Sequence, residues 1–287
     1  MKCDNPVKIL ITGAKGMLGR TLVEKLNNFE LIPTDLPETD ITDSKTFDSI
    51  ISKHRPDVVI HCAAMTAVNN CESQIDLAYK INAIGSANVA AACNRYGSRL
   101  IAFSTDYVFD GEKDSPYNEF DSTNPKNIYG KSKCMGEELI KNHCPNHVIA
   151  RISWLYGPGG PSFVHTMLEL ADGTRSEIKV VDDQRGNPTS TIAVADALLN
   201  IILRPELVGT FHLTCEGGCS WYDFACQIFF DSGIEQRIVP CSSEEFPTPA
   251  LRPVHTLLDK MALRLHCLPK MPDWRDALND FFKQELL

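Results

Sequence analysis

The chain has 287 residues, 43% of them hydrophobic and 23% charged, the proportions of one large folded domain or two modest ones. Its formal net charge of −9 excludes partners that demand a broad basic surface, such as nucleic acid or an anionic membrane, but leaves room for a small phosphorylated ligand held by a few local donors. No stretch is long and apolar enough to span a bilayer, the N-terminal "MKCDNPVKILITG" lacks a signal-peptide core, and the 11 cysteines include no C-x-x-C pair, which together predict a reduced, cytoplasmic protein with no structural metal.

"VKILIT" (7–12) reads as a buried strand and "GRTLVEKLNN" (19–28) as the helix that follows it. "ELIPTD" (30–35) is a second strand. "SKTFDSIISKH" (44–54) is a helix capped by Asp43 and stopped before Pro56. "DVVIHCAA" (57–64) is a third strand, "DLAYKINAIGSANVAAACNRY" (76–96) a long helix, and "RLIAFST" (99–105) a fourth strand. Strands alternating with helices predict an α/β fold, a Rossmann-like doubly wound parallel sheet with helices on both faces. After residue 155 a Gly/Pro break, "LYGPGGPS", loosens the pattern. A helix over 190–203 and a strand over 209–214 return to the sheet. The chain therefore divides into a dinucleotide-binding domain, 1–155 with 190–214, and a smaller substrate-binding lobe, 156–189 with 215–287, over the carboxyl edge of the sheet.

The first strand runs into Gly13, Gly16 and Gly19, a G-x-x-G-x-x-G spacing between strand and helix. Glycines there permit a tight turn and close approach of a pyrophosphate to a helix N-terminus. Asp35 closes the second strand, placed to accept hydrogen bonds from an adenosine ribose. Leu36 and Pro37 offer a 2′-phosphate no positive charge, whereas Lys15 and Arg20 lie within reach of one. The combination predicts use of NADPH or NADH, with NADH modestly preferred.

Further candidates fall at carboxyl ends of strands, where open α/β sheets bind ligands. Ala63 and Ala64 leave space beside the third strand, and Ser104, Thr105 and Asp106 end the fourth. The hydroxyls also fit simple loop capping. "YGKSK" then opens a helix with Tyr129 and Lys133 one turn apart on one face. Chance alone places about 0.4 such Tyr/Lys pairs in a chain of this composition, so the pair takes its meaning from its surroundings. An ammonium so close would favour phenolate and lower the phenol pKa from its usual value of about 10.

The segments "ITGAKGMLGR", "HCAAMTAV", "STDYVFDG", "YGKSKCMGE", "RISWLYG", "DQRGNPT", "GGCSWYDFA" and "PTPALRP" resemble the extended short-chain dehydrogenase/reductase family, and within it the dTDP-4-dehydrorhamnose reductases, over nearly the whole chain. The glycine and Tyr/Lys motifs mark the superfamily. "STDYVF", "SWLYG" with "DQ-x-G-x-PT" and the late "RP" are specific to the reductase branch. The resemblance implies reduction of the C4 ketone of dTDP-4-dehydro-β-L-rhamnose to dTDP-β-L-rhamnose by NADPH or NADH. It implies Tyr129 as general acid, Lys133 as holder of the nicotinamide ribose, and Thr105 as the hydroxyl on the substrate oxygen. It places Met17, Leu18, Asp40, Ile41, Met65 and Thr66 with the glycines, Asp35 and the alanines around the cofactor. Asp106 and Trp154 would contact the sugar nucleotide, and Arg252, in "LRP", suits its diphosphate by charge and fork geometry.

Asn69 and Asn70 depart from the family pattern, and Thr21 stands where some relatives carry an acid that helps bridge a dimer through magnesium. Monomer and homodimer both remain open. A dehydratase of this fold usually has an acid after Thr-Asp, where this chain has Tyr107. Two alternatives stand beside the principal reading. One is a reductase of another dTDP-4-keto-6-deoxy sugar. The other is a non-catalytic subunit similar to the regulatory β subunit of methionine adenosyltransferase.

Overall fold

A computed structural model describes residues 6–285. Its centre is a six-stranded, all-parallel sheet in the order β10-β5-β4-β3-β1-β2. The chain enters through β1 (Lys8–Thr12), α1 (Met17–Lys25), β2 (Glu30–Thr34), α2 (Ser44–His54) and β3 (Val58–His61). Alternation along these strands supplies two cores. Ile9, Ile11, Ile60 and Ile101 face Leu18, Leu22, Val194 and Leu198 on one side. Leu10, Val59, Leu100 and Ile149 face Phe47, Ile51, Val89 and Ile140 on the other. Both faces of a parallel sheet are thereby covered, which is why its strands are apolar throughout.

The N-terminal helix starts inside the glycine loop, at Met17 rather than at residue 19, because Gly16 serves as its N-cap. Asp43 caps α2 through the Lys45 N–H. The long helix expected over 76–96 is interrupted. It comprises α4 (Ile75–Tyr79), a π turn at Lys80–Gly85 and α5 (Ser86–Tyr96), and is preceded by a separate helix α3 (Val68–Ser73). After β4 (Arg99–Thr105), a 3₁₀ turn (Asp106–Val108) leads to α6 (Ile128–His143) and β5 (His147–Ile152). Strand β5 has no counterpart in the pattern reading, because Arg151 breaks its apolar run. Arg151 is tolerated there because both of its nitrogens nearest Glu137 of α6 bond that carboxylate, at 2.9 and 2.7 Å.

Beyond β5 lie β6 (Leu155–Tyr156), α7 (Phe163–Leu170), β7 (Ile178–Val181), β8 (Arg185–Gly186) and β9 (Thr189–Ser190). Ser190 caps α8 (Thr191–Ile202), which packs on α1, and β10 (Gly209–His212) pairs with β5. The rest is β11 (Cys219–Ser220), α9 (Trp221–Ser232) with a Ser220/Asp223 capping box, β12 (Ile238–Cys241), α10 (Met261–Leu265) and α11 (Trp274–Glu285). These outer strands pair only two by two, as β6-β9, β8-β11 and β7-β12. No helix among the described residues is long and apolar enough to cross a membrane.

Candidate active site

A cavity of about 920 Å³ opens along the carboxyl ends of β1, β3 and β4. Its first wall is the glycine loop. Gly13 has φ +67°, and a Cβ there would stand 2.7 Å from the Ala63 nitrogen, so only glycine lets the loop pass β3 so closely. Helix α1 then points its N-terminus into the cavity without a side-chain cap. Free backbone N–H groups at such an end form a ready anion site. Beside it, one oxygen of Asp35 accepts from the Lys15 N–H at 2.8 Å and the other from the Leu36 N–H at 2.8 Å. The Lys15 ammonium donates to the Leu36 carbonyl at 2.9 Å and stands 3.7 Å from Glu38, while Arg20 donates to the Gly159 carbonyl at 2.9 Å. Both cations near the ribose side are therefore already engaged.

The opposite wall is built by α6. Asn127 caps it by accepting from the Gly130 N–H at 2.8 Å. A Cβ on Gly130 would collide with the Tyr107 carbonyl oxygen, so the glycine after Tyr129 lets the helix start press against the 3₁₀ turn. Tyr129 is thus set beside Thr105, with Tyr107 edge-on at 5.8 Å between ring centroids. Lys133 reaches back from the next turn of α6 and donates to the Phe103 carbonyl at 2.8 Å.

The electrostatics differ from the expectation for the Tyr/Lys pair. Desolvation by the surrounding protein pushes the Tyr129 phenol above its ordinary value, against the opposing effect of a hydrogen bond with Thr105. The ammonium of Lys133 faces the Phe103 carbonyl, and burial pushes Lys133 itself down to about 8, with Glu137 opposing. The phenol consequently holds its proton at neutral pH, the state a proton donor requires. Asp106, 2% exposed, has its carboxyl pushed up to about 6 by burial, against hydrogen bonds from Thr256 and Thr105.

Of the residues singled out in the sequence, Gly13, Gly16, Met17, Leu18, Gly19, Asp35, Asp40, Ile41, Ala63, Ala64, Thr66, Thr105, Asp106, Tyr129, Lys133 and Trp154 all line this one cavity. Two do not. The Met65 N–H and carbonyl are held by the Asn82 side chain at 2.8 and 3.1 Å. Arg252 lies near Tyr107 outside the cavity lining, and its buried Nε has no hydrogen-bond partner. Trp154 has φ +44° and stacks on Trp221, with centroids 3.4 Å apart and planes within 5°.

Three supporting residues escaped the sequence reading. Asn82, in the π turn, joins the Met65 loop to Ser132 of α6 at 3.0 Å. Trp221 backs Trp154, and Thr256 bonds Asp106. Thr21, 3% exposed, is buried between α1 and α8 and donates to Thr191 at 2.9 Å.

A parallel nucleotide-binding sheet with a glycine loop at its first turn and a Thr/Tyr/Lys cluster at the cavity wall defines the extended short-chain dehydrogenase/reductase class. Residues 7–287 match the family described as the RmlD substrate binding domain. The chain is 39% identical over 279 residues to the spore coat polysaccharide biosynthesis protein SpsK of Bacillus subtilis, covering 96% of this chain and 97% of that protein. A solved dTDP-4-dehydrorhamnose reductase from Clostridium acetobutylicum superposes with a TM-score of 0.95 at 47% identity, over 98% of this chain and 100% of that one. Another, from Bacillus anthracis in complex with NADP, gives 0.95 at 40% identity, over 97% and 99%. The chain belongs to the dTDP-4-dehydrorhamnose reductase family.

Proposed function

We propose that the chain reduces the C4 ketone of dTDP-4-dehydro-β-L-rhamnose to dTDP-β-L-rhamnose, the last step of dTDP-rhamnose biosynthesis, using NADPH or NADH. The observation that carries this reading is the meeting of Thr105, Tyr129 and Lys133 in one cavity with the uncapped N-terminus of α1. The cradle at Gly13 and the free N–H groups of α1 fit a pyrophosphate, Asp35 fits the adenosine ribose, and Lys133 fits the nicotinamide ribose. When bound, the reduced nicotinamide supplies the hydride.

Tyr129 donates its phenolic proton to the C4 oxygen as negative charge develops there, and Thr105 steadies the same oxygen with its hydroxyl. A phenol held above its ordinary value still gives its proton to an alkoxide, which is far more basic. Asp106 and Trp154 contact the sugar nucleotide, and Arg252, whose Nε lacks a partner, meets the diphosphate. Residues 1–155 with 190–214 act as the cofactor domain, and 156–189 with 215–287 as the sugar-nucleotide lobe. The enzyme acts in the cytoplasm, as a monomer or a homodimer.

The test is consumption of reduced nicotinamide, followed by absorbance, on adding dTDP-4-dehydrorhamnose to the purified protein. A regulatory subunit of the same architecture binds the nucleotide without consuming it, and that outcome would remove the reductase reading.

A further inference from the structure

Resting on that reading, we propose that Asp106 is a proton store for Tyr129, reloading its phenolate through the Thr105 hydroxyl after each turnover, and that Thr256 is the positioning residue that holds the store. A turnover leaves Tyr129 without its proton, and the next cannot begin until it is replaced. The structure places an acid two oxygens away. Thr105 Oγ1 lies beside the phenol and 3.0 Å from one Asp106 oxygen, to which it donates. The other Asp106 oxygen accepts from Thr256 Oγ1 at 2.6 Å.

Thr256 is 2% exposed and stands 150 residues further along the chain. Its segment is fixed to β8 by two backbone bonds. The Thr256 N–H donates to the Arg185 carbonyl at 2.9 Å, and the Arg185 N–H to the Val254 carbonyl at 2.7 Å. Among the described residues no cation pairs with Asp106, so two hydroxyls hold a buried carboxyl without neutralising it. A carboxyl so placed keeps its proton to higher pH than an exposed one, which agrees with its rise to about 6.

The groups facing it are few. Tyr107, on its own turn, is pushed up to about 12 by burial and by Asp106, against Arg252. Tyr129 approaches from α6, and Lys133 of the same helix is turned to the Phe103 carbonyl. Arg252 and His255 lie on the segment that carries Thr256, and Arg252 acts on Tyr107.

In the loaded state the protonated Asp106 donates to Thr105 Oγ1, reversing the bond that its carboxylate accepts, and the Thr105 hydroxyl turns to the phenolate. In the reloading step the Asp106 O–H bond breaks and its proton passes to Thr105 Oγ1. Thr105 passes its own hydroxyl proton to the Tyr129 phenolate, where the new O–H bond forms. A hydroxyl has one donor and two acceptor sites, so Thr105 ends the step as a neutral hydroxyl whose new proton faces the Asp106 carboxylate. The transfer runs downhill, from a carboxyl to a phenolate whose conjugate acid is weaker. Solvent then reprotonates the Asp106 carboxylate.

The experiment compares steady-state and single-turnover rates with dTDP-4-dehydrorhamnose and NADPH between about pH 6 and 9. Single turnover uses the proton already on Tyr129, whereas steady state needs the reload. The store is loaded below the Asp106 pKa and empties as pH rises through it, so the ratio of the two wild-type rates falls with rising pH. Asp106→Asn lowers that ratio by ~10-fold or more near the acid end, where the wild-type store is loaded. Thr256→Val, nearly isosteric, removes a hydrogen bond to the charged form, raises the Asp106 pKa and moves the fall in the ratio to higher pH. A merely structural role lowers both rates by one factor at every pH. That result, a flat wild-type ratio, or a Thr256→Val profile that keeps the wild-type position would overturn the proposal. A wild type that consumes no cofactor with any dTDP-4-keto sugar would instead overturn the reductase reading.

Discussion

Removing the charge of Glu137 perturbs the scaffold directly behind the Tyr/Lys pair. Glu137 follows Lys133 by one turn of α6 and is 2% exposed, as its partner Arg151 on β5 is 3% exposed. Arg151 sends Nε and Nη2 to the two carboxylate oxygens at 2.9 and 2.7 Å, and its guanidinium lies 5.0 Å over the Phe109 ring. Glu137→Gln keeps the shape but strands the guanidinium in the interior. Breaking one side of such a pair costs about 3–5 kcal/mol. At ~2–4 °C per kcal/mol, the midpoint of thermal unfolding should fall by ~6–20 °C. Replacing both members, Glu137→Met with Arg151→Met, removes the charges together and should cost less than the single change. Burial pushes the Glu137 carboxyl up, but the hydrogen bonds and charge of Arg151 outweigh it and hold the carboxyl below its ordinary value. The stabilisation from that depressed value is present at neutral pH and is lost as pH falls through the folded-state value, so the double variant should lose less stability in acid than wild type. Glu137 also supports the charge on Lys133, which disappears as pH rises through about 8. In Glu137→Gln, the KM for reduced nicotinamide should therefore begin to rise at lower pH than in wild type. Denaturant and thermal unfolding of wild type and the two variants, with KM profiles, decide the matter. A Glu137→Gln protein within ~1 kcal/mol of wild type would refute the reasoning.

Tyr129→Phe keeps the ring and deletes the proton donor, so kcat should fall by ~10²–10⁴ with little change in cofactor affinity, and near-normal steady-state turnover would take Tyr129 out of the mechanism. Thr105→Val should lower kcat/KM by roughly 10-fold or more, whereas an unchanged value would leave the hydroxyl a role in capping the Tyr107 N–H only. Both cofactors should work, with NADH favoured by about 1 kcal/mol, because Asp35 opposes a 2′-phosphate and Lys15 is already held by Leu36 and Glu38. Asp35→Asn should shift kcat/KM towards NADPH and Lys15→Ala towards NADH; a strong NADPH preference that Asp35→Asn leaves untouched would place Asp35 away from the ribose.

Features that depend on neighbours in the chain were legible in the sequence. The glycine loop, β4 and the Asp43 cap follow from local periodicity and capping chemistry. Strand β5 was not, since Arg151 in a buried strand makes sense only opposite Glu137, on a different element. The π turn was hidden because its residues share the apolar spacing of the helix around it. Helical spacing did bring Tyr129 and Lys133 onto one wall, but it carries no information on burial. The direction of the Tyr129 shift was therefore misjudged, because desolvation decides it. Thr256 and Asp106 meet across 150 residues, a contact no local pattern encodes. Met65 follows recognisable alanines, and the Asn82 side chain that binds its backbone comes from a separate helical segment that the local pattern does not point to.

The central claim is hydride delivery to C4 of the sugar nucleotide, and isotope transfer tests it most directly. The protein is incubated with dTDP-4-dehydrorhamnose and reduced nicotinamide carrying deuterium at both C4 positions, and the sugar product is read by proton NMR. The account predicts loss of the H4 signal and collapse of its couplings to H3 and H5, in a product of rhamno configuration. An undiminished H4 signal, with both deuterium atoms still on the nicotinamide, would contradict the claim of hydride transfer, and a talo product would contradict the reading of the enzyme as one that makes dTDP-β-L-rhamnose.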